Sequence, residues 1–111
     1  MTEPTIDPAV FKELQDAAGA DFVVELVGTF LEEAPAMLTE LSSARTAHAA
    51  DRFRRAAHSL KSNSQAFGAL TLGAMARALE LGGLPGDAAP IDDIAAEYER
   101  VAARLKELNG G

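Results

Sequence analysis

Between residues 22 and 41 the apolar side chains Phe22, Val23, Leu26, Val27, Phe30, Leu31, Ala34, Met37, Leu38 and Leu41 return at three- and four-residue steps. That period commits the stretch to an amphipathic helix, because only a 3.6-residue repeat brings such positions onto one face. The same period runs through Leu72, Met75, Ala76 and Leu79, and again through Ile91, Ile94, Tyr98, Val101, Leu105 and Leu108. Each helix of this kind hides one face only, so several must pack together. Composition agrees. Of 111 residues 23 are alanine and 13 leucine, whereas valine and isoleucine together number eight. Helix formers dominate and β-favouring residues are scarce, which excludes an all-β sandwich or barrel. A hydrophobic content of 48% also excludes extended disorder. The expectation is all-α: an antiparallel four-helix bundle with a short extra N-terminal helix, forming one domain over residues 1–111.

Local signals set the boundaries. Asp7 suits an N-cap, Pro8 the first helical position, and Ile6 can staple against Phe11, so a short helix is predicted over residues 8–18, closed by Gly19. Asp21 is the expected cap of the second helix. Pro35 falls inside that helix and should kink rather than end it, because the apolar stripe resumes in register; an end at Glu33 with a restart at Pro35 is the alternative. A polar break at Thr46-Ala47-His48 precedes a third helix over 49–67, with Gly68 as its terminator. A fourth is predicted over 70–81, then a Gly/Pro-rich loop over 82–90, then a last helix from Pro90 to 108.

Several function classes drop out. Without cysteine there is no disulfide scaffold and no thiolate metal site. The first residues carry no basic segment or apolar run of a signal peptide, and no stretch approaches the roughly 18–20 apolar residues of a membrane span. A cytoplasmic setting without membrane attachment is expected. The net charge of −7 argues against nucleic acid as a partner. That charge is unevenly spread: residues 44–79 carry +5 and the remainder −12. A basic island in an acidic chain fits a local anionic partner, or else a solvated helix face. No phosphate-binding glycine loop, zinc-protease motif or nucleophile elbow occurs. His48 and His58 are ten residues apart, unlike paired metal ligands on a helix.

His58 remains. Successive residues of a helix are turned by about 100°, which places Arg54, Lys61 and Gln65 on one side of His58 and Arg55 and Ser62 on the other, all within about 60° of it. The same rotation puts Phe67 and Leu60 on the opposite face of the helix. The histidine therefore occupies the centre of the polar face, opposite the core stripe. By position alone the plainer reading is an ordinary surface histidine. Its neighbours favour chemistry. An exposed imidazole, with an ordinary pKa of about 6.5, is mostly a neutral nucleophile at pH 7. Lys61 and Arg54, one turn either side, can pair with a phosphoryl group on the ring. Gln65 can donate a neutral hydrogen bond, and the small Ser59 and Ser62 let a partner approach closely. Phosphoryl transfer asks chiefly for in-line positioning and charge neutralisation.

In these residues the chain resembles the histidine-containing phosphotransfer domains of multistep phosphorelays, whose signature reads roughly A-H-x-L-K-G-(S/A)-(S/A)-x-x-(L/F)-G. Ala57, His58, Leu60, Lys61, Ser64, Phe67 and Gly68 match in register, and Leu72 and Leu79-Glu80 sit where that family's next helix carries similar residues. The resemblance implies His58 as the phosphorylated side chain, Lys61 as the phosphate-facing cation, Leu60 and Phe67 as core, and Gly68 as the helix end. It implies receiver domains of response regulators, or a hybrid histidine kinase, as partners. It implies no cofactor of the chain's own, with Mg²⁺ expected in the partner receiver. Ser62 departs from the family's usual glycine, and Asn63 from a smaller residue. The acceptor helix pair of a histidine kinase fits poorly, since Ser59 replaces the acidic residue that normally follows the histidine and no proline follows soon after.

The expected function is thus a stand-alone, monomeric phosphocarrier without autonomous turnover, its docking face including Arg54, Arg55, Ser59, Ser62 and Gln65. The alternative is a helical adaptor that binds an acidic partner through the 44–79 face without chemistry.

Overall fold

The computed structural model describes residues 5–110; the ends of the expected domain, residues 1–4 and 111, lie outside the described residues. Five helices follow one another: α1 (Pro8–Ala18), α2 (Ala20–Thr46), α3 (Ala50–Phe67), α4 (Leu70–Gly82) and α5 (Ala89–Leu108). No strand occurs among the described residues. The helices α2 to α5 pack around one core that includes Val23, Val27, Phe30, Leu41, Phe53, Leu60, Leu72, Ile94, Val101 and Leu105. Phe30 is its aromatic centre, with its ring centroid 5.4 Å from that of Phe67 and 6.0 Å from that of Tyr98.

The caps show how the sequence sets these boundaries. The Asp7 carboxylate accepts hydrogen bonds from the amides of Ala9 (2.9 Å) and Val10 (3.4 Å), so α1 starts as expected. Ile6 and Phe11 are both buried. Asp21 is not the cap of α2. Gly19, with φ 94°, both ends α1 and begins α2, and Asp21 lies in the first turn, where its charge faces the positive end of the helix dipole. The helix α2 continues through Pro35 as one element of 27 residues, so it does not end at Glu33. Phe22 is 51% exposed, off the buried stripe of Val23, Val27, Phe30 and Ala34. Adjacent helical residues differ by about 100°, so α2 cannot turn both Phe22 and Val23 into one narrow seam.

The end of α3 carries the tightest packing. Gly68 is left-handed (φ 84°, ψ 14°), and the amides of Gly68 and Ala69 return to the carbonyls of Gln65 and Ser64. Its own carbonyl accepts from the Asp7 amide at 2.8 Å, which ties the start of α1 to the end of α3. A Cβ at Gly68 would lie 2.9 Å from the Asp7 carbonyl oxygen. The chain reverses here, and α4 returns antiparallel along α3. At Gly73 a Cβ would lie 3.0 Å from Gln65 Cγ, so the missing side chain lets the two helices approach.

Candidate functional site

The helix α3 buries Phe53, Ala56, Ala57, Leu60, Ser64 and Phe67 and turns His58 outward, as its helical phase predicts. The His58 side chain is 56% exposed. Arg54, Arg55, Ser59, Ser62 and Gln65 are likewise exposed, and Lys61 is half-buried. Leu60 and Phe67 lie in the core and Gly68 forms the helix end. Ser64, fully buried, spends its hydroxyl on the Leu60 carbonyl at 2.6 Å.

One site residue was not among those assigned a role from the sequence. Glu80, on α4, places one carboxylate oxygen 2.5 Å from His58 Nδ1 and the other 2.7 Å from Lys61 Nζ. Its side chain is only 12% exposed, and that of Lys61 20%. The Lys61 ammonium, and next the His58 ring, hold the Glu80 carboxyl below the usual carboxylate range. An ionised carboxylate only accepts, so Nδ1 must carry the hydrogen and donate it. That fixes the tautomer and leaves the lone pair on Nε2, facing away from Glu80. The arrangement is that of an oriented nucleophile: a carboxylate holds the ring and stands ready to balance positive charge on it.

Lys61 is therefore tethered 2.7 Å from a carboxylate rather than free above the ring. The basic island is also partly satisfied. Arg52 makes a forked contact with Glu40 (2.7 and 3.0 Å), and Arg45 bonds the carbonyls of Pro85 and Gly86. The Arg55 Nε bonds the Asp51 carbonyl one turn back, at 3.3 Å. Among the described residues Arg54, Arg55 and Arg77 have no carboxylate partner. Asn63, which the sequence left without a reading, donates to the Ser59 carbonyl at 2.9 Å.

On the α2 side of α3, at Arg55 and Ser59, a cleft of about 320 Å³ opens between α2 and α3. Ala36, Met37, Ala56 and Ser59 line it, with Glu40, Arg52 and Arg55 around them. Among the described residues no three of His, Asp and Glu converge as metal ligands, and no helix is long and apolar enough to cross a membrane.

Comparison with known proteins gives a consistent picture. The Hpt domain family model matches residues 25–104. Among solved structures, the chain is similar to histidine-containing phosphotransfer protein B (HptB) from Pseudomonas aeruginosa PAO1. The TM-score is 0.87 at 27% identity, over 98% of this chain and 97% of that one. No curated protein sequence matches it.

Proposed function

The chain belongs to the Hpt domain family, and from that premise we propose that His58 Nε2 is its phosphoacceptor, oriented by Glu80 and assisted by Lys61. It is a histidine phosphotransfer protein of a phosphorelay, so its partners are the receiver and kinase components of that relay. The observation that carries the assignment is the Nδ1–Glu80 contact on an outward-facing histidine. In the step we infer, the Nε2 lone pair attacks the phosphorus of a receiver's aspartyl phosphate. The N–P bond forms as the P–O bond breaks, and the electron pair leaves on the aspartate carboxylate. Nδ1 keeps its proton, the ring becomes cationic, and Glu80 balances that charge. Lys61 then swings from Glu80 to the phosphoryl oxygens. The reverse sequence delivers phosphate to a second receiver.

The docking face we assign comprises Arg54, Arg55, Ser59, Ser62 and Gln65, with the adjoining α2–α3 cleft taking apolar side chains of the receiver. Mg²⁺ belongs to the receiver's aspartyl site in this account. The chain acts as a monomeric cytoplasmic carrier with no turnover of its own. The adaptor reading gives no reason for a carboxylate to hold the ring. Incubation with a receiver carrying labelled aspartyl phosphate tests the assignment. Acid-labile, base-stable label should appear on wild type and vanish in His58→Gln, whose circular dichroism should be unchanged. Label retained in that variant would refute it.

A further inference from the structure

A phosphoryl group on Nε2 presents three oxygens that need donors. Side chains on a helix lean toward its N-terminus, so a residue one turn after His58 leans toward the His58 turn, whereas one a turn before it leans away. Arg55 shows this lean, since its guanidinium bonds the Asp51 carbonyl one turn back. Of the residues that follow, Lys61 starts in its ion pair with Glu80 and, once it swings away, satisfies only some of the three oxygens. The ring also has a direction. Nδ1 faces Glu80 on α4, which turns Nε2 toward the opposite flank of α3, where Ser62 lies. Two neighbouring polar side chains are already committed, Ser64 to the Leu60 carbonyl and Asn63 to the Ser59 carbonyl, while Gln65, two turns on, lies against Gly73 of α4 and Ser59 lines the α2–α3 cleft. Ser62 is exposed and, among the described residues, makes no hydrogen bond to the protein. Its Cβ stands one turn from that of His58, about 5–6 Å away on an ordinary helix.

We infer that the Ser62 hydroxyl donates a hydrogen bond to the phosphoryl group on His58 Nε2 and stabilises the phosphorylated state. The inference rests on the acceptor assignment above. It gives the serine that stands in place of the family's usual glycine a positive role. The hydroxyl binds the product, in addition to leaving room for the partner.

Phosphoramidate tests this without a docked protein. Its P–N bond breaks, the phosphoryl group passes to His58, and ammonia leaves, so the exchange constant against added ammonium at fixed pH measures the stability of phosphohistidine. ³¹P NMR would give that constant for wild type and for Ser62→Ala, Ser62→Gly and Ser62→Thr, with circular dichroism confirming helicity. The alanine and glycine variants should shift the constant toward phosphoramidate by about three- to tenfold, the loss of one hydrogen bond to a charged group at an exposed site. Ser62→Thr keeps the donor and should stay within about twofold of wild type. An alanine variant equal to wild type, or a threonine variant equal to alanine, overturns the inference. A constant that ignores Ser62→Ala sinks this inference alone, whereas label passed from a phosphorylated receiver to His58→Gln sinks the acceptor assignment and the inference with it.

Discussion

Glu80 connects the chemistry of His58 to that of Lys61, and the consequences can be separated by substitution. Glu80→Gln keeps the shape but lets the amide nitrogen face the ring, so the tautomer is no longer imposed and Lys61 loses its anchor. Transfer from a receiver should fall by at least about tenfold, as when a charged hydrogen-bond partner is removed. Lys61→Ala should slow transfer while leaving the fold nearly as stable, and a rate within twofold of wild type would mean that Arg54 or the partner supplies the charge. The pH dependence has a definite sign. The Glu80 carboxyl is held below its ordinary value, so its contribution to stability is fully present above about pH 4.3 and is lost as pH falls through the lower folded-state value. The stability gap between wild type and Glu80→Gln in urea melts should therefore close in acid, and a gap that widened would contradict the pairing. His58 was legible in the sequence because helical phase is a local property. The role of Glu80 was not, although the residue falls in the Leu79-Glu80 match, since it meets its partners across 22 and 19 residues of chain. The basic window read from the sequence stops at residue 79, one short of the carboxylate that neutralises Lys61. A usable signal was present in α4, where Gly73 and Glu80, seven apart, share the flank that faces α3.

At the scale of the helices, the sequence was most informative where a backbone requirement is local. The expected ends of α1 and α3 were met because Asp7 and Gly68 each satisfy one geometry. The start of α2 was misread because Gly19 closes one helix and opens the next with no polar cap, which makes Asp21 the more conspicuous but wrong candidate. The continuation of α2 through Pro35 was legible, because the apolar stripe resumes in register beyond it. Gly68 also does more than stop α3, since it touches the start of α1. Gly68→Ala should destabilise the fold by more than about 1 kcal/mol, because a side chain meets both a positive φ and the Asp7 carbonyl. Chemical denaturation would check this, and an unchanged midpoint would show that the junction can relax. His48 has φ 55° in the α2–α3 turn, away from the site, and His48→Ala should leave phosphoryl acceptance intact in the same labelling assay.

For the whole molecule, net charge misleads. A chain of charge −7 nonetheless presents Arg54 and Arg55 on the polar face of His58 and Arg77 on α4, without carboxylate partners among the described residues, while Arg52 and Lys61 are internally paired. Steering of an acidic receiver should therefore be screened by salt, with association slowing as ionic strength rises past about 0.1 M, where the Debye length is about 10 Å. Stopped-flow binding should show this slope reduced in Arg54→Glu, and a salt-independent on-rate would assign docking to the apolar cleft alone. The bundle serves all of this by holding α3 and α4 close enough for one carboxylate to orient one imidazole. The most direct measurement is ³¹P NMR of the protein after phosphorylation by a receiver. A single phosphohistidine resonance is predicted, bonded at Nε2 and absent from His58→Gln. A signal bonded at Nδ1, or one that survives in that variant, would contradict the assignment.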